Sequence, residues 1–312
     1  MNKPSGSASP GSRSRGRIMQ ILRRYPLRSF FVLAYAVTWL LWSPVVFLKL
    51  PAFNPATHAP FLYVMPGIAI GVTSVAFLMT VVTQGKAGPR RLLQRLTWWR
   101  VGLQWYAVAI LLIPLTEILV AVALGSPDAL NALSPAALML YPKAYAAHFI
   151  FGPLFEESGW RGFALPRMQQ RFGPLVGTLL LGILWSAWHF FLYVPVWFGA
   201  GNMSEGLVDT GIFVVMTTSM TFIFTWLFNN TGASLLLSIL LHGSVDGTAT
   251  YMQILGDKGI ISADAVNNSI SLGLLIACVV LAVILTIGTK GSLSYRRYHR
   301  GAEALDLDAL VK

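Results

Sequence analysis

Apolar residues dominate the chain in eight windows, each long enough to cross a bilayer and each separated from the next by a short polar stretch. A spanning helix takes about 20 mostly apolar residues. Such windows lie at 29–48, 60–83, 101–124, 144–166, 174–194, 207–228, 233–255 and 270–288. They predict an all-α fold: a polytopic membrane protein of about eight transmembrane helices. Residues 1–17 read as a disordered basic N-terminal tail, 18–289 as the transmembrane helical domain, and 290–312 as a cytoplasmic C-terminal tail. The Ser/Gly/Arg-rich start leads into an apolar run long enough to span, so a secretory signal is not expected.

Basic residues then orient the windows. Twenty of the 23 Lys and Arg fall before the first window, between the second and third, around the turn after the fourth, or after the eighth; only Lys49, Lys143 and Lys258 fall on the opposite side. Short cytoplasmic loops collect Lys and Arg, so both termini are expected in the cytoplasm. The stretch RRLLQRLTWWR, Arg90 to Arg100, interleaves Arg, Leu and Trp. An interfacial helix on the inner leaflet would carry that pattern.

Composition sharpens this picture. Only 11% of residues are charged and 55% are hydrophobic. A soluble domain carries roughly 25% charged residues, more than twice as many. The formal charge of +11 would by itself allow a nucleic-acid partner, but loop topology accounts for it. Anionic lipid at the cytoplasmic face is the expected partner, and nucleic acid is not. The single cysteine, Cys278, sits in an apolar run. That excludes a disulfide scaffold and a Cys-rich metal site. No phosphate-binding loop, dinucleotide fingerprint or internal repeat is present.

Ionisable residues inside hydrocarbon cost several kcal/mol each, so those present are functional candidates. They are Glu156, Glu157 and Arg161 in FEESGWR, His189 in LWSAWHFF, and His242 and Asp246 in LLHGSVD. If windows four and five form a hairpin turning near Gly173, Glu156 stands 17 residues before the turn and His189 16 after it. At about 1.5 Å per residue they share a depth. The seventh window enters after NNTG, and His242 follows 10 residues past Gly232. That places it roughly 15 Å in. Asp246 follows one turn later on the same face. Glu157 and Arg161 are four apart and can pair, leaving Glu156 as the carboxylate free for proton transfer beside a histidine. His148 and Glu117 fall outside these motifs and read as structural hydrogen-bonding groups.

These motifs resemble the CPBP family, the CAAX-protease and bacteriocin-processing intramembrane proteases that include type II CAAX prenyl endopeptidases and Abi proteins. The family pattern EExxxR is met by Glu156, Glu157 and Arg161; HxxxN or HxxxD is met by His242 and Asp246; and FxxxH is met by His189 with Trp185 in place of the phenylalanine. The Trp for Phe exchange reads as mild, one large aromatic packer for another. The resemblance covers a core of about residues 98–255. It implies an eight-span fold with an intramembrane polar cavity and peptide-bond hydrolysis within it, acting on a peptide or protein substrate.

By that analogy Glu156 and His189 activate a water, His242 with Asp246 bind a metal or stabilise the oxyanion, and Glu157 with Arg161 orient them. The family carries the label metalloprotease, and a metal-free water has been argued for it as well. Glu156, His189 and His242 offer three zinc ligands with a fourth position open to water, whereas HExxH is absent. Asp246 lacks the amide donor of asparagine, which leaves it a metal ligand or a partner orienting His242. Two other functions use the same residues: a non-enzymatic scaffold or sensor, and a proton-coupled transporter, the latter disfavoured by the lack of repeated halves.

Overall fold

Proline starts and glycine stops mark many helix boundaries, as their backbone preferences dictate. The computed structural model describes residues 10–48, 61–149, 152–199 and 201–298. Every regular element among the described residues is helical. Helix α1 (Pro10–Arg24) meets α2 (Pro26–Phe47) at Tyr25. Helix α3 (Phe61–Ile68) passes through a π-helical turn (Ala69–Ser74) into α4 (Val75–Gln84), followed by α5 (Ala87–Leu96) and α6 (Leu103–Ala123). A 3₁₀ turn (Pro127–Leu133), α7 (Pro135–Leu138) and α8 (Tyr141–Phe149) lead to α9 (Pro153–Glu157), a second π-turn (Ser158–Ala164) and α10 (Leu165–Phe172). Then come α11 (Pro174–Phe198), α12 (Met203–Asn230), α13 (Leu235–Asp257), α14 (Ala263–Asn267), a third π-turn (Asn268–Gly273) and α15 (Leu274–Gly288).

Among the described residues five helices are long and apolar enough to span: Pro26–Phe47, Val64–Gln84, Leu103–Ala123, Pro174–Phe198 and Met203–Asn230. The bent pair Ala263–Ile270 and Leu274–Gly288 makes a sixth if it is one span, so the expected eight is not reached on length and composition. The two windows that fall short carry two of the three ionisable motifs, FEESGWR and LLHGSVD. The fourth is broken at Gly152, whose φ is 89°, just before α9. Only glycine adopts that conformation cheaply. The seventh, α13, is diluted by His242, Ser244, Asp246 and Thr248.

Two further expectations are corrected. Residues 10–17, read as disordered, begin α1, while residues 1–9 and the tail beyond Tyr298 lie outside the described residues. Apolar Ile18, Met19, Ile21 and Leu22 are flanked there by arginines on both sides, and Arg23 Nε donates to Val82 O at 3.0 Å, fastening α1 to α4. The stretch from Arg90 to Arg100 is helical only to Leu96, and Arg95 does not lie on a lipid surface. It is buried and donates to the carbonyls of Arg161 (3.2 Å), Gly162 (2.9 Å) and Ala233 (3.1 Å), clamping α5 to the second π-turn and to the start of α13. Burial pushes the Arg95 guanidinium down to about 10, so it remains a cation at neutral pH. In the 3₁₀ turn, Asp128 accepts the Ser262 N–H at 2.6 Å, which holds its carboxyl below the usual range.

An aromatic core places α9, the second π-turn and α10 against α2 and α11. Trp188 packs on Trp42 at 4.6 Å and on Trp160 at 5.5 Å between ring centroids, and all three are fully buried. Both distances fall in the range where tilted and edge-to-face ring pairs are favourable. Trp42 Nε1 donates to Val64 O at 2.8 Å, and Trp39 Nε1 to Trp188 O at 2.9 Å. Trp39 and Trp42 thus satisfy their polar ends, whereas the buried Trp188 Nε1 finds no hydrogen-bond partner among the described residues. Helices α11 and α12 approach closely at Gly182, where a Cβ would meet Thr218 Cα at 2.7 Å. Gly182→Val should therefore lower stability by about 1 to 3 kcal/mol through overpacking, read as a lower Tm in detergent; an unchanged Tm contradicts this close approach.

Candidate active site

Glu156 and Glu157 are adjacent in sequence and face different partners. Both lie in α9, whose start is fixed by Gly152 and by Pro153 at its first position. Helical geometry turns successive side chains by about 100°, so neighbouring carboxylates cannot share one partner set. Glu156 Oε2 accepts two indole N–H groups, from Trp185 at 2.9 Å and Trp160 at 3.3 Å. Among the described residues its Oε1 accepts no hydrogen bond, and it lies beside Gly152, 3.8 Å from where a Cβ would stand. Among the described residues the carboxylate is thus anchored by one oxygen only.

Glu157 is fully buried and takes the opposite role. Its Oε1 accepts from Arg161 Nη1 and from His242 Nδ1, both at 2.8 Å. The Glu157 and Arg161 pair read from the i, i+4 spacing is therefore present, and it reaches across to α13. The Arg161 guanidinium lies between two aromatic faces, 4.1 Å from the Trp185 ring centroid and 3.8 Å from that of Phe224. A cation so placed is drawn to the negative face of each ring. Arg161 Nε and Nη2, flanked by those rings, find no hydrogen-bond partner among the described residues.

His242 is held at Nδ1 by Glu157, and its Nε2 stands 3.9 Å from Asp246 Oδ2. That separation exceeds a hydrogen bond. Glu157, not Asp246, orients the imidazole, because the carboxylate one helix away lies within bonding reach of Nδ1. Asp246 has a side chain 38% exposed, so the cluster meets its surroundings at this residue. The His242 ring also stands edge-on to Trp185 (5.4 Å) and Phe224 (5.7 Å).

His189 lies one turn beyond Trp185 on α11. Its Nδ1 bonds the Trp185 carbonyl at 2.9 Å. A carbonyl only accepts, so Nδ1 carries the proton and Nε2 keeps its lone pair. No hydrogen bond joins His189 to Glu156 or His242 among the described residues; Trp185 packs against both histidines, with its ring 5.9 Å from His189 and 5.4 Å from His242. Nor do any three His, Cys, Asp or Glu among the described residues stand close enough to hold a metal ion. Glu156 Oε2 is held by two indoles, His242 Nδ1 by Glu157 and His189 Nδ1 by a carbonyl, so a metal here would use Glu156 Oε1 and the Nε2 atoms of the two histidines, drawn closer together than they stand.

Trp160 and Trp185 are the participants that sequence reading missed. Trp160 lies four residues after Glu156, and Trp185 four before His189. That spacing marks helix neighbours. Trp185 is more than a packer, since its N–H reaches Glu156, which phenylalanine could not do. The bystanders behave as read: Ser269 Oγ donates to Glu117 Oε2 at 3.3 Å, and His148 Nε2 lies 2.7 Å from Thr250 Oγ1.

Comparison with known proteins falls on the same segments. Residues 138–248 match the family model described as type II CAAX prenyl endopeptidase Rce1-like. The chain is also similar to CAAX prenyl protease 2 of Methanococcus maripaludis, with 24% identity over 254 residues, covering 76% of this chain and 89% of the relative.

Proposed function

We propose that this chain is a CPBP-family protease, an intramembrane endopeptidase that uses Glu156 to activate a water against a peptide bond of a membrane-associated or prenylated substrate; the Rce1-like match of residues 138–248 supports the reading. The observation that carries the reading is the asymmetric Glu156 carboxylate, with Oε2 tied to Trp160 and Trp185 and no hydrogen bond on Oε1 among the described residues. Glu156 Oε1 accepts a proton from the attacking water, and His189 Nε2 accepts the water's second hydrogen bond and orients it. The same proton then passes from Glu156 to the leaving amine. His242, held at Nδ1 by Glu157, turns Nε2 toward the oxygen of the tetrahedral intermediate and donates to it when the ring is protonated. Arg161 fixes Glu157, and through it the imidazole. The biased loop charges support cytoplasmic termini and contact with anionic lipid.

The test incubates purified, chelator-treated protein with a prenylated, membrane-partitioning peptide in ¹⁸O-water. The expected result is one cleavage product with ¹⁸O in its new carboxylate. Turnover that returns only on adding zinc would overturn the metal-free water, and no cleavage with or without metal would overturn the hydrolytic reading.

Two substitutions probe the surrounding groups. Trp185→Phe removes one of two N–H groups from Glu156, and a charge-assisted hydrogen bond is worth roughly 1.5 kcal/mol or more, so kcat should fall about tenfold with little change in KM. Asp246→Asn replaces a carboxylate near the developing oxyanion with an amide that can donate to it. Cleavage by this variant should equal or exceed that of the wild type, and a large loss would show that the ionised carboxylate is required.

A further inference from the structure

A second cluster of charge lies away from Glu156 and takes no part in hydrolysis. Where α1 meets α2, beside the end of α4 and the length of α10, a cleft of about 590 Å³ is lined by Arg23, Arg28, Arg167 and Arg171 together with Thr83 and Gln170. Among the described residues no acidic side chain lines it. Arg167 forms its buried part, only 7% exposed, with neutral partners: the Phe163 carbonyl at 3.0 Å, Thr83 Oγ1 at 3.3 Å, and the Phe163 ring at 3.9 Å. Arg23 spends its Nε on Val82 O at 3.0 Å, and Arg28 and Arg171 are exposed. Four arginines from three parts of the chain line this one cleft without a carboxylate among the described residues, and one of them is buried. Desolvating a cation is costly unless a counter-charge meets it, and a phosphate matches the guanidinium fork better than most common anions.

We propose that this cleft binds a phosphate-bearing anion, supplied by the headgroup of an anionic phospholipid. The lipid source follows from where the cleft lies. Pro26 and Leu27 line it at the start of a helix apolar enough to span. At that level a headgroup and its first acyl carbons meet the protein. On the flanking elements Ile18, Met19 and Ile21 of α1 and Phe172 of α10 are exposed apolar side chains. They offer acyl chains a surface. The bound phosphate would bridge α1, α2 and α10, and α10 continues the helical segment that carries Glu156 and Glu157. The site stands apart from the hydrolytic reading, and its test does not use cleavage.

Delipidated full-length protein in neutral detergent is heated with phosphatidylglycerol, with phosphatidylcholine, or with inorganic phosphate. Phosphatidylglycerol is expected to raise Tm by about 3 °C or more above the phosphatidylcholine value, through preferential binding to the folded state. The exposed pair Arg28→Gln/Arg171→Gln should abolish that difference, whereas Lys86→Gln/Arg90→Gln, which removes equal charge from exposed positions at α5, should keep it. No difference in the wild type, or an equal shift in both double variants, would overturn the site. Stabilisation by inorganic phosphate matching that by phosphatidylglycerol would overturn the lipid source and assign the cleft to a free anion.

Discussion

Glu156→Gln is expected to lower kcat for peptide cleavage by about 10³-fold or more while leaving the fold intact. Removing a positioned general base costs about 10² to 10⁴ in rate, and here the base would also supply the proton for the leaving group. The amide keeps the shape of the carboxylate, and its oxygen can still accept the N–H groups of Trp160 and Trp185. Packing around it, including the fully buried Trp160, should therefore persist, with a Tm close to that of the wild type. Cleavage of a prenylated peptide followed by mass spectrometry, alongside a thermal scan in detergent, separates the two effects. Turnover near the wild-type rate would remove Glu156 from the mechanism.

The second large effect is structural. Arg161→Ala leaves Glu157 buried with only the His242 bond, and empties the space between Trp185 and Phe224. Breaking a buried pair by removing one partner costs about 3 to 5 kcal/mol, because the remaining charge is uncompensated. A typical domain is held folded by only roughly 5 to about 15 kcal/mol in all. The yield of monodisperse protein should therefore collapse. Arg161→Lys keeps the charge but loses the planar contact with both rings, and its Tm should fall between the two. In Glu157→Gln/Arg161→Met both charges are gone, so the loss should be smaller than in Arg161→Ala alone, a non-additivity measurable in a double-mutant cycle. An Arg161→Ala protein as stable as the wild type would contradict the buried pair.

Much of the site was legible because helices convert spacing into geometry. The i, i+4 relation of Glu157 and Arg161 survives intact, whereas Glu156 meets Trp185, one helical turn nearer Gly173 than the His189 that equal counts set at its level. Less legible was which side chain faces which. The separation of Glu156 and Asp246 from His189 and His242 depends on helix rotation and on a π-turn that shifts the side chains after Glu157. Neither leaves a periodic signal. For the same reason Trp185 read as a packer, Asp246 as the partner of His242, and Arg95 as a surface residue.

The sequence by itself determined that this is a helical membrane protein, which segments carry its ionisable groups, and which two of those groups pair along one helix. These follow from hydropathy and a fixed rise per residue, which act locally. Only the tertiary structure decided that Glu157 spans to His242, that two indoles hold one oxygen of Glu156, and that four arginines meet at one cleft. Each of these joins residues from helices distant in the chain, and the rotation and tilt that bring them together are set by side-chain packing across the whole bundle.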